Sequence, residues 1–499
     1  MTAAVTAAEL SDERSDERLS RRFVHRWDAV MLGLVGAVVA GFGFWIPDFW
    51  ADEEATYSAL DRPVDGLITM VTQQVDAVHA VYYLLMRAFF GLTAIDPTFL
   101  RLPSALLVGV AVAGAVVLGQ RLVGRSAGIL TGLVLMLLPA ITDMGVEARS
   151  YPWSVAVATW LTVVFVTALE DGRKRWWLGY GLLASFMVAL FLNSALVVVA
   201  HGLTVLIARR GLRSVVGFAV AAAGAALLAS PIVLLSAGQR GQVGWIHEVR
   251  LETVGEVIVE QWFRTAAGFA LVAWSIAIVV VVLGLTRMPR LRPMLVVALP
   301  WLLLPTTLLV AVSLIEPFYT PRYLATGAAA IALLVGTGLS LVPWRAVRVL
   351  AVLGLAALTA GSYQAQRDPF RYQNGWRETA AFLEDRFEPG DAVLFNDEVR
   401  APFQYTRGTN TVYGEQLRGY DDIALEESHR SNGRLRDELV ERPVLEERLR
   451  TVDGVWVVWP DSMDWNSSRT LDLLSRAGFT MTDAETLDFT ELRRFERLP

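Results

Sequence analysis

The sequence predicts a polytopic α-helical membrane protein with a C-terminal extracytoplasmic α/β domain. The chain has 499 residues, of which 54% are hydrophobic and only 19% are charged, and this balance is too apolar for an ordinary soluble protein. Charge is sparse between residues 27 and 363 and dense on both sides. The net charge of −6 argues against a nucleic-acid partner, and the lack of Cys excludes disulfides and a cysteine nucleophile.

Residues 1–26 predict a disordered cytoplasmic tail, because a charged Ser-Asp-Glu-Arg repeat is followed by a basic stretch. The region 27–363 predicts a membrane domain of about eleven spans, each of about 17–22 residues, as a hydrocarbon core of about 30 Å requires. We place the spans near 28–48, 103–120, 126–142, 152–169, 177–192, 195–208, 214–236, 265–286, 294–314, 323–342 and 347–363.

The charges between these runs predict their orientation. Alternate threading places the basic loops near 121–125, 173–175, 209–213, 287–292 and 345–348 on the side of the N-terminal tail, which the positive-inside rule assigns to the cytoplasm. An odd number of spans then places the C-terminal segment outside. We therefore expect a multi-pass protein of the cytoplasmic (inner) membrane with a cytoplasmic N-terminus.

Two segments leave alternatives open. Residues 78–92 are apolar enough for a short span, but counting them would place every later basic loop outside, so we predict a surface helix within a first external loop at 49–102. The connection at Asn193-Ser194 is short for a loop. If the two runs beside it formed one broken helix, the topology downstream would shift.

Residues 364–499 predict the extracytoplasmic α/β domain, because they are charged and their apolar runs are short. An amphipathic helix is expected at 375–387, ended by Pro389-Gly390, and buried strands are expected at 392–395 and 455–459. Residues 425–449 are expected to be largely helical with a break at Pro443. Residues 487–498 are expected to form a closing strand or strand pair.

Three adjacent carboxylates, Asp52-Glu53-Glu54, stand where the first span ends. Placing an acidic side chain beside hydrocarbon costs free energy, so such residues are often functional. A carboxylate can act as a general base. The structural alternative is a solvated loop whose acids cap a helix or pair with Arg62. Further along the loop, Asp76, His79 and Tyr83 recur at about one helical turn. They could line the same cavity or face lipid headgroups, and Asp76 with His79 could bind a divalent metal.

Arginines on the predicted external side run against the usual charge bias. The loop at 147–151 holds Arg149, and the loop at 317–323 holds Arg322. The longer loop at 237–264 holds Arg240, Arg250 and Arg264, together with Trp245, His247 and Trp262. A guanidinium can grip phosphate through two parallel hydrogen bonds, although such residues also serve as headgroup anchors or structural ion pairs. His201, alone in a span, is expected to be a packing residue.

Missing features narrow the function further. The predicted spans hold no acidic or basic residue deep in the hydrocarbon, whereas ion-coupled transporters usually need such groups. The sequence also has no Gly-x4-Gly-Lys-Ser/Thr loop for an ATP-driven pump. We therefore expect the chemistry at the outer membrane surface.

Four stretches occur in order: Asp52-Glu53-Glu54-Ala-Thr56, Asp76-Ala-Val-His79-Ala-Val-Tyr82-Tyr83, Glu147-Ala-Arg149-Ser-Tyr151 and Pro321-Arg322-Tyr323. Together they resemble the GT-C-fold membrane glycosyltransferases, in particular the protein-mannosyltransferase-like branch that uses polyprenyl-phosphate sugars. The resemblance covers about residues 28–363. The segment opened by Trp376-Arg377 resembles the extracytoplasmic domain that many bacterial members append, and the Ala-rich, Cys-free composition resembles actinobacterial members.

The resemblance implies roles for individual residues. Asp52 would match the catalytic base that deprotonates an acceptor hydroxyl as it attacks the anomeric carbon with inversion, and Glu53 would orient the acceptor or Asp52. Arg149 and Arg322 would hold the departing polyprenyl phosphate, and His79 and Tyr83 would line the sugar pocket. Further substrate-binding candidates are Glu54, Asp76, Tyr82, Glu147, Tyr151 and Tyr323. The third acid, Glu54, leaves open which carboxylate is the base, and Ala80-Val81 stands where many relatives have prolines.

The expected function is inverting transfer of a sugar, mannose in our interpretation, from a polyprenyl-phosphate donor to an envelope glycan, lipoglycan or protein. The sequence predicts no particular cofactor, and it leaves open whether a divalent metal is bound. The same chemistry with another sugar such as arabinofuranose is one alternative. A lipid or polysaccharide flippase and a non-catalytic envelope scaffold are the others.

Overall fold

The computed structural model describes residues 26–91, 96–239, 241, 244–386, 388, 390–395, 406–461 and 468–497. The chain forms two compact units. Unit 1 comprises Met1–Phe42 and Arg101–Gln364, and unit 2 comprises Gly43–Leu100 and Ala365–Pro499. Nearly all of the predicted tail, together with Arg240, Phe387, Pro389 and Leu498, lies outside the described residues.

Unit 1 is helical, and a helix lies at each segment predicted as a span. The helices are 26–41, Leu102–Leu122, Arg125–Leu137, Tyr151–Asp171, Lys174–Leu190, Ala195–Ile207, Leu212–Ala237, Ala267–Thr286, Arg292–Ser313, Ala328–Leu341 and Arg345–Ala365. Within the described part of the chain, seven helices are long and apolar enough to cross a membrane. The count of eleven spans and their orientation stay predictions.

Small residues allow the central helices of unit 1 to pack closely, as in membrane proteins generally. Nearly every residue of Ala328–Leu341 is buried. A Cβ placed on Gly336 would lie only 2.5 Å from the backbone nitrogen of Thr131, so a larger residue would push the two helices apart. In contrast, Leu212–Ala237 and Arg345–Ala365 leave most of their apolar surface uncovered, which suits helices that face lipid.

Two sequence predictions in unit 1 can be checked against local contacts. His201 packs as expected: its Nδ1 lies 3.1 Å from the Tyr180 hydroxyl and its Nε2 lies 3.2 Å from the Thr162 hydroxyl. Its ring also stacks on Phe165. The doubtful connection at 193–194 is a 3-10 turn, Leu192–Ser194, between two separate helices.

Unit 2 brings the predicted first external loop together with the C-terminal segment. Residues 43–100 form the helices Ala51–Leu60, Val64–Thr69 and Ala80–Phe90, with a π-helical turn at Met70–Gln74 and a 3-10 turn at Ala77–His79. The helix predicted at 78–92 is therefore present as Ala80–Phe90. We call Ala51–Leu60, which carries the three adjacent carboxylates, the acidic helix. The division into a membrane domain at 27–363 and an extracytoplasmic domain at 364–499 remains a proposal.

The C-terminal part of unit 2 is built around a mixed sheet. The mixed sheet contains β1 (Asp391–Phe395), β2 (Asp421–Asp422), β5 (Gly454–Pro460), β6 (Phe479–Thr486) and β7 (Thr490–Arg497). A separate two-stranded sheet contains β3 (Leu425–Glu427) and β4 (Glu438–Leu439). The strand order in the mixed sheet is β2-β1-β5-β7-β6, with β1 parallel to β2 and β5, and with β7 antiparallel to β5 and β6. Every residue of β1 and β5 is buried, as predicted.

Two other predictions for this segment hold in part. The helix predicted at 375–387 is present as Trp376–Arg386, and the predicted closing strand is β7. β6 was not predicted, because nearly all of its side chains are exposed and its sequence is polar. Its pairing with β7 places it at an edge of the sheet.

The prediction that residues 425–449 are largely helical is wrong. β3 and β4 pair as a two-stranded antiparallel sheet, and only Arg442–Leu449 is helical. Pro443 lies in the first turn of that helix, where the missing N–H costs no hydrogen bond, and does not break it. The physical reason is tertiary: Asp437, just before β4, receives hydrogen bonds from His429 and from Arg407, which is 30 residues away in the sequence.

Candidate active site

The acidic helix gives its three carboxylates different surroundings. Asp52, Glu53 and Glu54 all lie in its first turn, where the positive end of the helix dipole favours negative charge. Glu53 is fully buried and Glu54 is 2% exposed, whereas Asp52 is only half-buried. Asp52 is therefore the carboxylate of the three that is open to an approaching molecule.

Glu54 has partners within unit 2. Its Oε2 lies 3.3 Å from a guanidinium nitrogen of Arg436, and its Oε1 accepts a hydrogen bond of 3.3 Å from the Thr411 hydroxyl. These contacts tie the acidic helix to the C-terminal segment. They give Glu54 a structural role, while its role in substrate binding stays a prediction.

The structural alternative allowed the acids to pair with Arg62, but Arg62 bonds to Ser58, Arg434 and Leu435 instead. Its guanidinium donates to the Ser58 carbonyl at 2.9 Å and to the Arg434 carbonyl at 2.7 Å, and burial lowers the pKa of Arg62 to about 10. On the acidic helix itself, burial and the nearby Asp61 carboxylate raise the pKa of Tyr57 to about 12. Tyr57 is thus neutral at physiological pH and unsuited to serve as the base.

The second predicted motif is brought together as expected. The Tyr83 hydroxyl donates to Asp76 Oδ2 at 2.7 Å, and the ring centres of His79 and Tyr83 are 6.0 Å apart. Tyr82 and Tyr83 are fully buried. Asp76 itself adopts a left-handed backbone with φ 65°, a conformation that Asp tolerates better than most residues. This residue turns the chain before the 3-10 turn that carries His79.

Asp76 and His79, which could bind a divalent metal, have no third protein ligand beside them among the described residues. Among the residues that the structure describes, no group of three or more His, Cys, Asp or Glu side chains could hold a metal ion. Asp76 instead accepts the hydrogen bond from Tyr83. Metal binding by Asp76 and His79 stays a prediction.

A polar network at the C-terminal end of the acidic helix was not predicted. Asp61 Oδ2 lies 2.7 Å from Arg430 Nε and 3.5 Å from His429 Nε2, and His429 Nδ1 lies 2.7 Å from Asp437 Oδ1. The fully buried Arg407 also contacts Asp437, at 3.2 Å. No local signal marks this network, because its members come together only through the fold.

This network stabilises both a positively charged histidine and a negatively charged carboxylate. Burial disfavours the charged form of His429, but hydrogen bonds to Asp437 and Asp61 outweigh it and raise the pKa of His429. Burial likewise acts against the charged form of Asp437, yet the His429 hydrogen bond and the Arg407 charge hold the pKa of Asp437 well below its usual range. The network therefore contains an ionised carboxylate held by cationic donors, which fixes the end of the acidic helix.

In unit 1 the third and fourth predicted motifs come together. The Arg322 guanidinium carbon lies 5.9 Å from the centre of the Tyr151 ring and 5.1 Å from that of Trp245. The Phe191 ring lies 5.5 Å from Tyr151 and 5.3 Å from Tyr323. Cation–π contacts of this kind hold a guanidinium in place without neutralising its charge. The Arg322 guanidinium is thus held against two aromatic rings.

The motif loop at 147–151 is itself well packed. Glu147 is 6% exposed and Arg149 is 5% exposed. Shortly before this loop, the buried Asp143 pairs with Arg264 at 2.9 Å. Arg264 has a positive φ of 50°, which is unfavourable for a residue with a side chain. From the sequence, Arg264 was one of the external arginines, with a structural ion pair as one alternative, and Asp143 was not identified as its partner.

The predicted site residues are divided between the two units. Asp52, Glu53, Glu54, Asp76, His79, Tyr82 and Tyr83 belong to unit 2, and Glu147, Arg149, Tyr151, Arg322 and Tyr323 belong to unit 1. Within unit 2, Tyr83 contacts Asp76, His79 and Tyr82, and within unit 1, Arg322 contacts Tyr151. That Asp52, Arg149 and Arg322 line one cavity stays a prediction.

Comparison with known proteins adds independent findings. Residues 79–234 match the family model described as dolichyl-phosphate-mannose-protein mannosyltransferase. No curated protein matches the chain. The crystal structure of ArnT from Cupriavidus metallidurans in the apo state is similar with a TM-score of 0.56 and 12% identity, over 93% of this chain and 97% of that one.

Two further solved structures are similar. ArnT from Cupriavidus metallidurans bound to undecaprenyl phosphate has a TM-score of 0.56 and 11% identity, with 93% of this chain and 97% of that chain covered. The oligosaccharyltransferase of Archaeoglobus fulgidus, tethered to an acceptor peptide containing the NVT sequon, has a TM-score of 0.50 and 10% identity, with 88% and 69% covered.

The fold is that of the GT-C membrane glycosyltransferases. Within that class, residues 79–234 are similar in sequence to the protein-mannosyltransferase-like branch. The resemblance predicted from four short motifs is therefore confirmed, whereas its actinobacterial character stays a prediction.

Proposed function

We propose that this chain is an inverting glycosyltransferase that moves a sugar from a polyprenyl-phosphate donor to an acceptor hydroxyl at the outer face of the cytoplasmic membrane. The observation that carries the proposal is the half-buried Asp52 beside the buried Glu53 and Glu54. An accessible carboxylate on a packed helix is suited to general-base catalysis. A fold neighbour crystallised with undecaprenyl phosphate supports the class of donor.

In the proposed reaction Asp52 accepts the proton of the acceptor hydroxyl while that oxygen attacks the anomeric carbon of the sugar. The new carbon–oxygen bond forms as the bond from the anomeric carbon to the phosphate oxygen breaks, so the configuration inverts. The polyprenyl phosphate leaves with the bonding electrons and gains negative charge. Arg149 and Arg322 stabilise that charge, which cationic donors do most effectively in a site with little water.

Mannose is the sugar we propose, because the matching family model describes a dolichyl-phosphate-mannose enzyme. The acceptor is an envelope glycan, lipoglycan or protein. Arabinofuranose transfer by the same residues is the alternative within this chemistry. The flippase alternative has less support, because the predicted spans lack acidic and basic residues deep in the hydrocarbon.

The test is a transfer assay with purified full-length protein in detergent and radiolabelled polyprenyl-phosphate mannose, arabinofuranose or glucose. Each donor is offered with a lipoglycan, a glycan and a peptide acceptor. We expect label to move from the mannose donor to an acceptor with inversion at the anomeric carbon. Absence of transfer from every donor, together with protein-dependent movement of donor lipid between the leaflets of a vesicle, would instead establish the flippase alternative.

Changing Arg322 to Lys is expected to slow transfer by about tenfold to hundredfold, somewhat less than the roughly 10²- to 10³-fold lost when an electrostatic donor is removed outright. Lysine keeps the charge but loses the planar fork and the stacking on Tyr151 and Trp245. The measurement is kcat and KM for the donor. Arg345→Lys, at an exposed position, serves as the matched control, and an unchanged kcat/KM in Arg322→Lys would contradict the role.

A further inference from the structure

An open groove runs between two helices of unit 1, Lys174–Leu190 and Leu212–Ala237. Its volume is about 830 Å³. Most of its lining is apolar, and the residues recur at helical spacing on one face of each helix: Trp177, Leu178 and Leu182 on the first, and Val216, Val220 and Leu228 on the second. The groove is thus formed mainly by the faces of two packed helices.

Small residues let the helices touch at some levels and leave space at others. A Cβ on Gly181 would lie 3.0 Å from the Ala221 carbonyl oxygen, and a Cβ on Gly217 would lie 2.6 Å from the Trp177 indole nitrogen. These glycines are needed for close approach. Gly224 differs, because, apart from its chain neighbours and the adjacent backbone of its own helix, no heavy atom of the described residues lies within 4 Å of where its Cβ would stand. The groove is therefore open at Gly224.

Two cations, Lys174 and Arg213, stand at one end of the groove. The neighbouring Arg173 and Arg175 both pair with Asp171, at 3.1 Å and 3.9 Å. Lys174 and Arg213, in contrast, have no hydrogen-bond or ion-pair partner among the residues that the structure describes. The groove therefore combines an apolar length with an uncompensated positive end.

The dimensions match one lipid chain. Arg213 and Leu228 are separated by 15 residue steps, which correspond to about 22 Å of helix. One leaflet contributes about half of a hydrocarbon core of about 30 Å. An acyl chain can therefore lie along the groove for the full depth of its leaflet while its headgroup stays at the charged end.

We propose that this groove binds an anionic phospholipid, with one acyl chain beside Gly224 and the phosphate at Lys174 and Arg213. Basic pockets between membrane helices commonly bind anionic headgroups. A second apolar groove contains Arg292, but that guanidinium already donates to the carbonyls of Gly284 and Leu285 at 3.4 Å and 3.2 Å. The charge that recognises the lipid is available at Lys174 and Arg213.

The experiment measures binding of dioleoylphosphatidylglycerol and dioleoylphosphatidylcholine to the purified full-length protein in detergent by native mass spectrometry. The unaltered protein should retain phosphatidylglycerol more tightly. Removing the charges in Lys174→Gln/Arg213→Gln should weaken phosphatidylglycerol binding about fivefold for each and roughly 25-fold for both, and should leave phosphatidylcholine binding unchanged. Filling the groove in Gly224→Leu should weaken the binding of both lipids.

Two matched controls separate the groove from the general membrane surface. Arg287→Gln/Arg290→Gln removes two exposed cations that do not line the groove, and Gly179→Leu adds a side chain at another helical glycine with open space around it. Neither should change lipid binding. Equal retention of the two lipids by the unaltered protein, or an equal loss of phosphatidylglycerol in both charge variants, would overturn the proposal. Because the charge variants alter exposed side chains, they decide the question even if Gly224→Leu lowers stability.

Discussion

Replacing Asp52 with Asn is expected to reduce the rate of sugar transfer by about 10²- to 10⁴-fold, the usual contribution of a general base. Asparagine has nearly the same shape but cannot accept the acceptor proton. Asp52 is half-buried in the first turn of the acidic helix, so its charge stabilises the helix by only about 0.3–1 kcal/mol. The loss should therefore appear in kcat, measured as initial rates with the mannose donor, while thermal unfolding changes little.

The matched control is Asp65→Asn. Asp65 is an exposed acid in the first turn of another helix, Val64–Thr69, in the same segment of the chain, and its replacement should leave transfer unchanged. Glu53→Gln should reduce transfer less than Asp52→Asn if Glu53 only orients the reactants. If Asp52→Asn kept most of its activity while Glu53→Gln lost it, the base would be Glu53 and the assignment to Asp52 would be wrong.

Replacing Arg407 with Met is expected to destabilise the protein by about 3–5 kcal/mol, the usual cost of removing one partner from a buried ion pair. Arg407 is fully buried and bonds to both Asp422 and Asp437. Methionine fills a similar volume but leaves Asp422 without its cation and removes one of the cationic partners of Asp437. The measurement is chemical unfolding of the full-length protein in detergent, followed by tryptophan fluorescence.

Two variants test the physical reason for that loss. Arg434→Met breaks an exposed pair with Glu438 of 2.9 Å, and such surface pairs contribute about 0–1 kcal/mol. Arg407→Met/Asp422→Asn/Asp437→Asn removes the buried charges together and should recover part of the stability. A change below about 1 kcal/mol in Arg407→Met would show that the network does not hold the segment.

Transfer should also fall in Arg407→Met, although Arg407 touches no substrate in the proposed reaction. The contacts run from Arg407 to Asp437, from Asp437 to His429, and from His429 to Asp61 at the end of the acidic helix. Loosening this path should displace the helix that carries Asp52. Arg407 is a positioning residue, so the loss should be smaller than that of Asp52→Asn.

Much of the candidate site could be predicted because its motifs are local. Asp76, His79 and Tyr83 are close in the sequence, and their turn and short helix bring them into contact. The different surroundings of the three acids could not be predicted. Glu54 is committed to Arg436 and Thr411, more than 350 residues away in the sequence, and no local pattern encodes that pairing.

The sequence by itself determined the helical fold of unit 1, the buried strands β1 and β5, and the four motifs that resemble the GT-C glycosyltransferases. Each of these follows from apolar run length, burial pattern or neighbouring residues, which are local properties of the chain. Only the tertiary structure decided that 425–439 forms paired strands, that Asp143 holds Arg264, and that Lys174 and Arg213 meet at one groove. These features depend on strand pairing, ion pairs and helix contacts between residues that are distant in the sequence. Such contacts form only when the chain folds, so no local sequence pattern predicts them.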